Sequence, residues 1–319
     1  MPIYLLRRFG QSLLLLWGVL TLTFFLMHAG PGDPLDRYIS PHIPPETIAM
    51  IRHQFGFDQP LHVQYVKWLQ QWLRGEWGYS LTQHRPVAKV LAEAIPATLQ
   101  LTIPVLGLNF IWGILLGAAA AFYRHRWLDR FLSNGLLAIY CMPGFWLGLM
   151  LILLFAVKLG WLPNSGASAL FAEEMDSWTA LKDRLAHLVL PTLTLALPAA
   201  AATARYVREN LLNVLASNFL CLARAKGLSS RQIMVTHALP HTLLPLISLF
   251  GLSLPFLFGG ALLTEIIFAW PGMGRVTFEA AFSRDYPVVL AATSLSAIMV
   301  IVGNFIADSL YRFADPRIR

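Results

Sequence analysis

Residues 218–245 read NFLCLARAKGLSSRQIMVTHALPHTLLP. The segment is a polar, basic island between two long apolar runs. It carries Arg224, Lys226 and Arg231, then Gly227, Ser229 and Ser230. The first half has the spacing of a short helix, which Gly227 ends because glycine tolerates the left-handed backbone of a helix terminus. Ser229 and Ser230 offer the N-cap of a second short helix, and Pro240 is expected to close that one. Two short helices joined at a glycine make a compact knob, suited to docking in a partner's groove. In so apolar a chain the island must sit in water or against another protein.

The flanking runs decide the fold class. Of 319 residues, 56% are hydrophobic and 13% charged, against about 25% charged in soluble domains, and the mean hydropathy is +0.58. This is the balance of an integral membrane protein. In lipid every backbone polar group must pair internally, which leaves helices or a closed barrel. The runs are long and continuous rather than alternating, so the expected class is an all-α polytopic membrane protein. Six transmembrane helices are expected, over residues 9–27, 97–123, 132–157, 185–204, 243–268 and 288–310. The run at 9–27 is too long for a signal-peptide core and lacks a clear A-x-A exit.

Charge sets the orientation. With both termini cytoplasmic, the inner segments hold thirteen basic and four acidic residues, from the chain's 24 and 17. The net charge of +7 therefore reflects the positive-inside bias of membrane proteins, with no nucleic-acid partner. Residues 29–97 become a long extracytoplasmic helical loop, and 209–241 a cytoplasmic loop. Within the outer loop a short helix is expected at 44–57. Another follows Pro60, with Leu61, Tyr65, Trp68, Leu69 and Trp72 on one face. That face either lies at the headgroup level or packs on the rest of the loop. One domain, 1–319, is the simplest organisation. Cys141 and Cys221 fall in an apolar span and in the island, positions that suggest no disulfide.

Chemistry-bearing motifs are sparse. The chain contains no G-x-x-x-x-G-K-[ST], H-E-x-x-H or G-x-S-x-G, so ATP energy would have to come from another chain. Glu265 lies in the fifth span, where an ionisable group is a functional candidate by default. Its alternative is an acid at the interface, hydrogen-bonded to a neighbouring loop, with Arg275 as a candidate partner. Pro255 and Gly259 in the same span join it as candidate translocation or gating residues. Prolines 143, 191, 198 and 245 act either as hinges or as fixed kinks. His28, His42, His53, His62 and His84 lack the i, i+4 spacing of convergent ligands, so no metal site is expected.

The island resembles the cytoplasmic coupling loop of binding-protein-dependent ABC importer permeases. Their pattern is Glu-Ala-Ala, three residues, Gly, nine residues, then Ile-x-Leu-Pro. Ala223 takes the place of the second Ala, Gly227 that of the Gly and His237-Ala-Leu-Pro240 that of the final group, whereas Cys221 and Leu222 replace the Glu and first Ala. Residues 223–228, Ala-Arg-Ala-Lys-Gly-Leu, match the dipeptide, oligopeptide and nickel branch. So do, in order, Pro31-Gly-Asp-Pro34, Phe57-Asp-Gln-Pro-Leu-His-Val-Gln-Tyr65, Gly78-Tyr-Ser80, Arg85-Pro-Val87, Ile95-Pro-Ala-Thr-Leu99 and Gly160-Trp-Leu-Pro163. Thr264-Glu-Ile-Ile-Phe-Ala-Trp-Pro-Gly-Met-Gly-Arg275, Arg284-Asp-Tyr-Pro287 and Asp315-Pro-Arg-Ile-Arg319 complete the succession.

This resemblance implies a permease subunit of a bacterial inner-membrane importer, the first of two such subunits. It would form half of the pathway for di- or oligopeptides or nickel complexes. The implied partners are a second homologous permease, two nucleotide-binding ATPase subunits and an extracytoplasmic substrate-binding protein. ATP and Mg would sit on the ATPase subunits, with no cofactor on this chain. Ala223, Arg224, Ala225, Lys226, Gly227, Arg231, His237, Leu239 and Pro240 would couple it to the ATPases. The contexts Phe268-Ala-Trp-Pro271 and Ser283-Arg-Asp-Tyr-Pro287 lean slightly toward nickel-type members. A proton-coupled secondary transporter is the alternative from another class; it would want ionisable residues at mid-membrane.

Overall fold

The computed structural model describes residues 2–29, 46, 50, 53, 58–169, 174–254, 256–259 and 261–314. Helices in chain order are α1 (Pro2–Ala29), α2 (Leu61–Leu73), α3 (Val87–Phe122), α4 (Trp127–Cys141) and α5 (Gly144–Leu151). Then come α6 (Ser177–Leu215), α7 (Asn218–Ala225), α8 (Ser230–Gln232), α9 (Leu239–Ser253), α10 (Phe256–Gly259), α11 (Leu262–Ile267), α12 (Met273–Phe282) and α13 (Tyr286–Ala314). Two π-helical stretches, Ile152–Lys158 and Ile233–Ala238, continue α5 and join α8 to α9. The fold is all-helical among the described residues apart from one isolated bridge, Tyr79 with Pro86.

Among the described residues four helices are long and apolar enough to cross a membrane: Gly10–Ala29, Val87–Phe122, Ser177–Leu215 and Tyr286–Ile306. The number rises to six if each of two bent pairs is one span. The run expected at 132–157 is no straight helix: α4 meets Gly144–Lys158 at 103°. Pro143 explains the break. It has no N–H to give the preceding turn, and Met142 before it is extended (φ −73°, ψ 133°). The run at 243–268 is likewise divided into α9, α10 and α11. Pro255, between α9 and α10, lies outside the described residues.

Two other boundaries move. The helix that contains the span expected at 97–123 begins earlier, at Val87, within the segment read as a helical outer loop. The span expected at 185–204 sits inside the 39-residue α6, about 58 Å long against a hydrocarbon core of about 30 Å. Residues 209–215, expected to open the cytoplasmic loop, are its last two turns. Asp176 caps α6 by accepting the Trp178 and Thr179 N–H groups at 3.2 and 3.3 Å. Hydrogen bonding by Thr179 holds its carboxyl below the usual range.

The chain forms two compact units, one of residues 1–94 with 276–298, the other of 95–275 with 299–319. In the first unit Phe24 is almost fully buried and packs on Tyr65 and Trp68 of α2, with ring centroids 5.3 Å away in each case. The Tyr65 hydroxyl lies 2.7 Å from Thr21 Oγ1. The α2 face thus packs on α1, a partner that neither expectation named, although Leu61 on that face is exposed. The short helix expected at 44–57 lies outside the described residues apart from Glu46, Met50 and His53. Buried Asp285 accepts from Ser80 Oγ (2.5 Å), Thr82 N (3.0 Å) and Thr82 Oγ1 (2.8 Å). The Gly78–Val87 turn is thereby pinned to the start of α13.

In the second unit α6 is the central rod. Leu136 of α4 packs with Ala201 and Ala204 of α6. Residues Leu101 and Val105 of α3 gather with Ala196, Ala261 and Trp270. The carboxy-terminal end of α6 carries the knob.

Candidate functional site

The knob is built from local rules and anchored by packing. Helix α7 ends in a Schellman motif: Gly227 N–H donates to Arg224 O (2.9 Å) and Leu228 N–H to Ala223 O (3.3 Å). Gly227 has φ +80°, the conformation that favours glycine at this position. Ser229 opens the next helix with a capping box. Its Oγ accepts the Gln232 N–H at 3.3 Å, and its own N–H donates to Gln232 Oε1 at 3.0 Å.

Pro240 does not close this second helix. The chain continues through the π stretch Ile233–Ala238 into α9, with Pro240 in its first turn. A π turn widens the helix, so a proline at its edge can be absorbed without stopping the chain. The knob is therefore one short helix plus the head of a long one.

Its inner side is fixed. Leu220, Ile233, Met234 and Ala238 are buried in one apolar cluster with Val207 and Leu211 of α6, Ala121 of α3 and Leu246 of α9. Ala223 packs against the same cluster. Its outer side is open: residues 224–232 are all exposed, a run containing Arg224, Ala225, Lys226, Gly227 and Arg231. Arg224 Nη2 donates to Leu215 O at 3.2 Å, tying the knob to the end of α6. His237 and Leu239 are half-buried and Pro240 is exposed. Of the residues assigned to coupling, 224–227 and 231 thus form one continuous outer surface, while Ala223 belongs to its root.

Glu265 sits in a different setting. It is fully buried on α11. Oε1 accepts from Thr98 Oγ1 (3.2 Å) and Ala261 N (3.2 Å), and Oε2 accepts the Arg275 N–H (2.9 Å). Thr98 Oγ1 in turn accepts the Met273 N–H at 2.7 Å. Trp270 donates its indole N–H to Ala97 O at 2.8 Å, and Arg275 Nη1 donates to Ala269 O at 2.9 Å. Ala269 holds a left-handed φ of +50°, fixed by these neighbours.

The two glycines of this loop make room for the carboxylate. A Cβ on Gly272 would stand 2.5 Å from Glu265 Cδ, and one on Gly274 would stand 3.0 Å from Oε2. Glu265 is thus the hub that ties residues 261–275 to the amino-terminal half of α3 through Thr98. Gly259 closes the four-residue α10, six positions before this hub in sequence.

Sequence reading passed over two further features. Gly113 and Gly117 form a G-x-x-x-G on an apolar helix, a readable signal of close helix packing. A Cβ on Gly113 would meet Thr203 at 2.5 Å, and one on Gly117 would overlap the Ala204 carbonyl. Asn109, one turn earlier, accepts from Thr203 Oγ1 at 2.8 Å. The second feature is the pair of Asp129 with Arg208, bidentate at 2.8 and 3.0 Å. It joins residues 79 positions apart, and no local pattern marks it.

Residues 1–102 match the N-terminal part of binding-protein-dependent transport system membrane components. Residues 113–319 match the binding-protein-dependent transport system inner membrane component family. The oligopeptide transport system permease protein AppB of Bacillus subtilis (strain 168) is 37% identical over 319 residues, covering 100% of this chain and 99% of that protein. The glutathione transport system permease protein GsiC of Salmonella paratyphi A is 36% identical, covering 99% and 98%. Its counterpart in Escherichia coli (strain K12) is 35% identical with the same coverage. An inward-facing structure of the MetNI methionine ABC transporter superposes with a TM-score of 0.54 at 21% identity, covering 72% of this chain and 97% of that one. At that identity the likeness shows a shared fold. Full-length identity to such permeases and the ordered motifs place this multi-pass membrane protein among the ABC importer permeases of the peptide and nickel family.

Proposed function

We propose that the chain forms half of the translocation pathway of a bacterial inner-membrane importer for small peptides. In this reading it is the first of two homologous permease subunits. A soluble binding protein delivers cargo from outside, and two ATPase subunits, holding ATP and Mg, drive the cycle. The knob is the point of drive. One observation carries this reading: residues 224–232 form a capped, exposed surface whose root is packed into the second unit's core. A push on that surface reaches α3, α6 and α9 through buried side chains, since close-packed interiors transmit strain. Arg224, Lys226 and Arg231 supply the polar contacts.

Peptides are favoured as cargo because two full-length relatives are named oligopeptide and glutathione permeases. Nickel complexes remain the second cargo class of this family. A proton-coupled mechanism would need an acid free to change partners, whereas buried Glu265 accepts from the Ala261 and Arg275 N–H groups and the Thr98 hydroxyl. The test is co-purification with the products of the neighbouring genes, followed by uptake in vesicles. Two ATPases, a second permease and ATP-dependent uptake of a peptide are expected. Uptake that persists without any ATPase partner would contradict the reading. A nickel complex on the associated binding protein would move the cargo to the other class.

A further inference from the structure

The turn between α3 and α4 carries a second exposed basic surface, separate from the knob. Residues 123–131 read Tyr-Arg-His-Arg-Trp-Leu-Asp-Arg-Phe. The acid in this stretch, Asp129, is turned inward and buried, where Arg208 takes it bidentately. It also accepts the His125 N–H and the Ser133 hydroxyl, both at 3.1 Å. Its carboxylate is therefore turned to α6, and Arg124, Arg126 and Arg130 are exposed, with the Arg126 guanidinium 5.9 Å from the centre of the Tyr123 ring. Beside them Trp127 is 75% and Phe131 68% exposed. These two rings are one helical turn apart on α4, with centroids 6.4 Å apart. Asp129 and Leu136, on the opposite side of α4, pack inward.

We infer that this face is a binding site for anionic phospholipid headgroups. Arginines recognise phosphate through fixed N–H forks. Tryptophan beside them is the side chain that settles at the headgroup level, and basic clusters at the end of a membrane helix draw anionic lipid. Orientation in the membrane asks only for positive charge. It does not ask for two exposed rings on the same face as Arg130, or for a carboxylate withdrawn from that face. The inference is independent of the cargo and of the ATPase contact.

The test uses the complete transporter, reconstituted with phosphatidylcholine and phosphatidylglycerol, then extracted in mild detergent and read by native mass spectrometry for retained phosphatidylglycerol. Replacing Arg124, Arg126 and Arg130 together by Gln is expected to lower retention on the order of tenfold. Because that triple variant removes orienting charge, W127S/F131S serves as a second variant that keeps it. It is expected to insert and assemble normally yet retain several-fold less lipid. R224Q/R231Q on the knob is expected to retain lipid as the parent does. Unchanged retention in both the triple and the aromatic variants would overturn the inference. So would loss of an ATPase subunit from the triple variant with its lipid intact, which would assign the face to a protein partner.

Discussion

The knob at 218–240 and the loop at 261–275 both interrupt an apolar run with polar residues and a left-handed turn, yet they differ in where their polarity points. In the loop the polar groups face inward: Glu265 is fully buried and takes the Ala261 and Arg275 N–H groups and the Thr98 hydroxyl. In the knob Leu220, Ile233, Met234 and Ala238 face inward and residues 224–232 face out. The first arrangement is self-sufficient. The second is rigid but leaves an ordered polar surface for something else to touch. Polar residues in a membrane chain therefore point to a partner where they stand exposed on a packed base, as at 224–232.

The contrast predicts opposite responses to substitution. The largest effect on stability is expected from E265A, which strands buried donors, each at about 1–3 kcal/mol. The folded complex should be recovered poorly and melt early in a thermal-shift assay. E265Q keeps the shape but turns an amide N–H toward a backbone donor, and should cost part of that amount. Were E265Q fully stable and defective only in pH-dependent uptake, the loop would be a proton site and the contrast would fail.

Next comes G117A. Its Cβ would overlap the Ala204 carbonyl of α6, an overpacking that costs about 1–3 kcal/mol, read as a lowered melting temperature. G227A has open space around its Cβ but a φ of +80°, so its cost is strain of about 1–2 kcal/mol. Uptake should fall more than stability does, and G227N, which tolerates the left-handed region better, should recover part of it. The smallest stability effect belongs to R224Q/R231Q, within about 0.5 kcal/mol of the parent. That pair should nonetheless lose stimulated ATP hydrolysis in the reconstituted transporter. Equal losses of stability and coupling in all these variants would erase the distinction.

What the sequence shows plainly are features decided within one helical turn. The Gly227 break and the Ser229 cap are read directly from residue type, because a left-handed residue and a hydroxyl cap each depend on local backbone alone. The apolar runs around 97–123 and 288–310 are legible from length. Pro240 misleads because its effect depends on the π stretch before it, which no residue type announces. The 103° turn at Pro143 is marked as an interruption, but its angle depends on what packs around it. Glu265 shows its two-sidedness on reading, and its burial decides between them only in three dimensions. Asp129 with Arg208 is invisible in sequence for the same reason: the partners meet only because α4 lies along α6.

The most direct measurement places a single cysteine at Ser230, with Cys141 and Cys221 replaced by Ser, in the full transporter. A short bifunctional reagent is applied to inverted vesicles, and the products are compared with and without ATP. The account predicts an adduct with an ATPase subunit whose yield changes with nucleotide. Absence of any ATPase adduct in an active complex, or modification of that cysteine by a membrane-impermeant reagent added to the outside of intact cells, would contradict it.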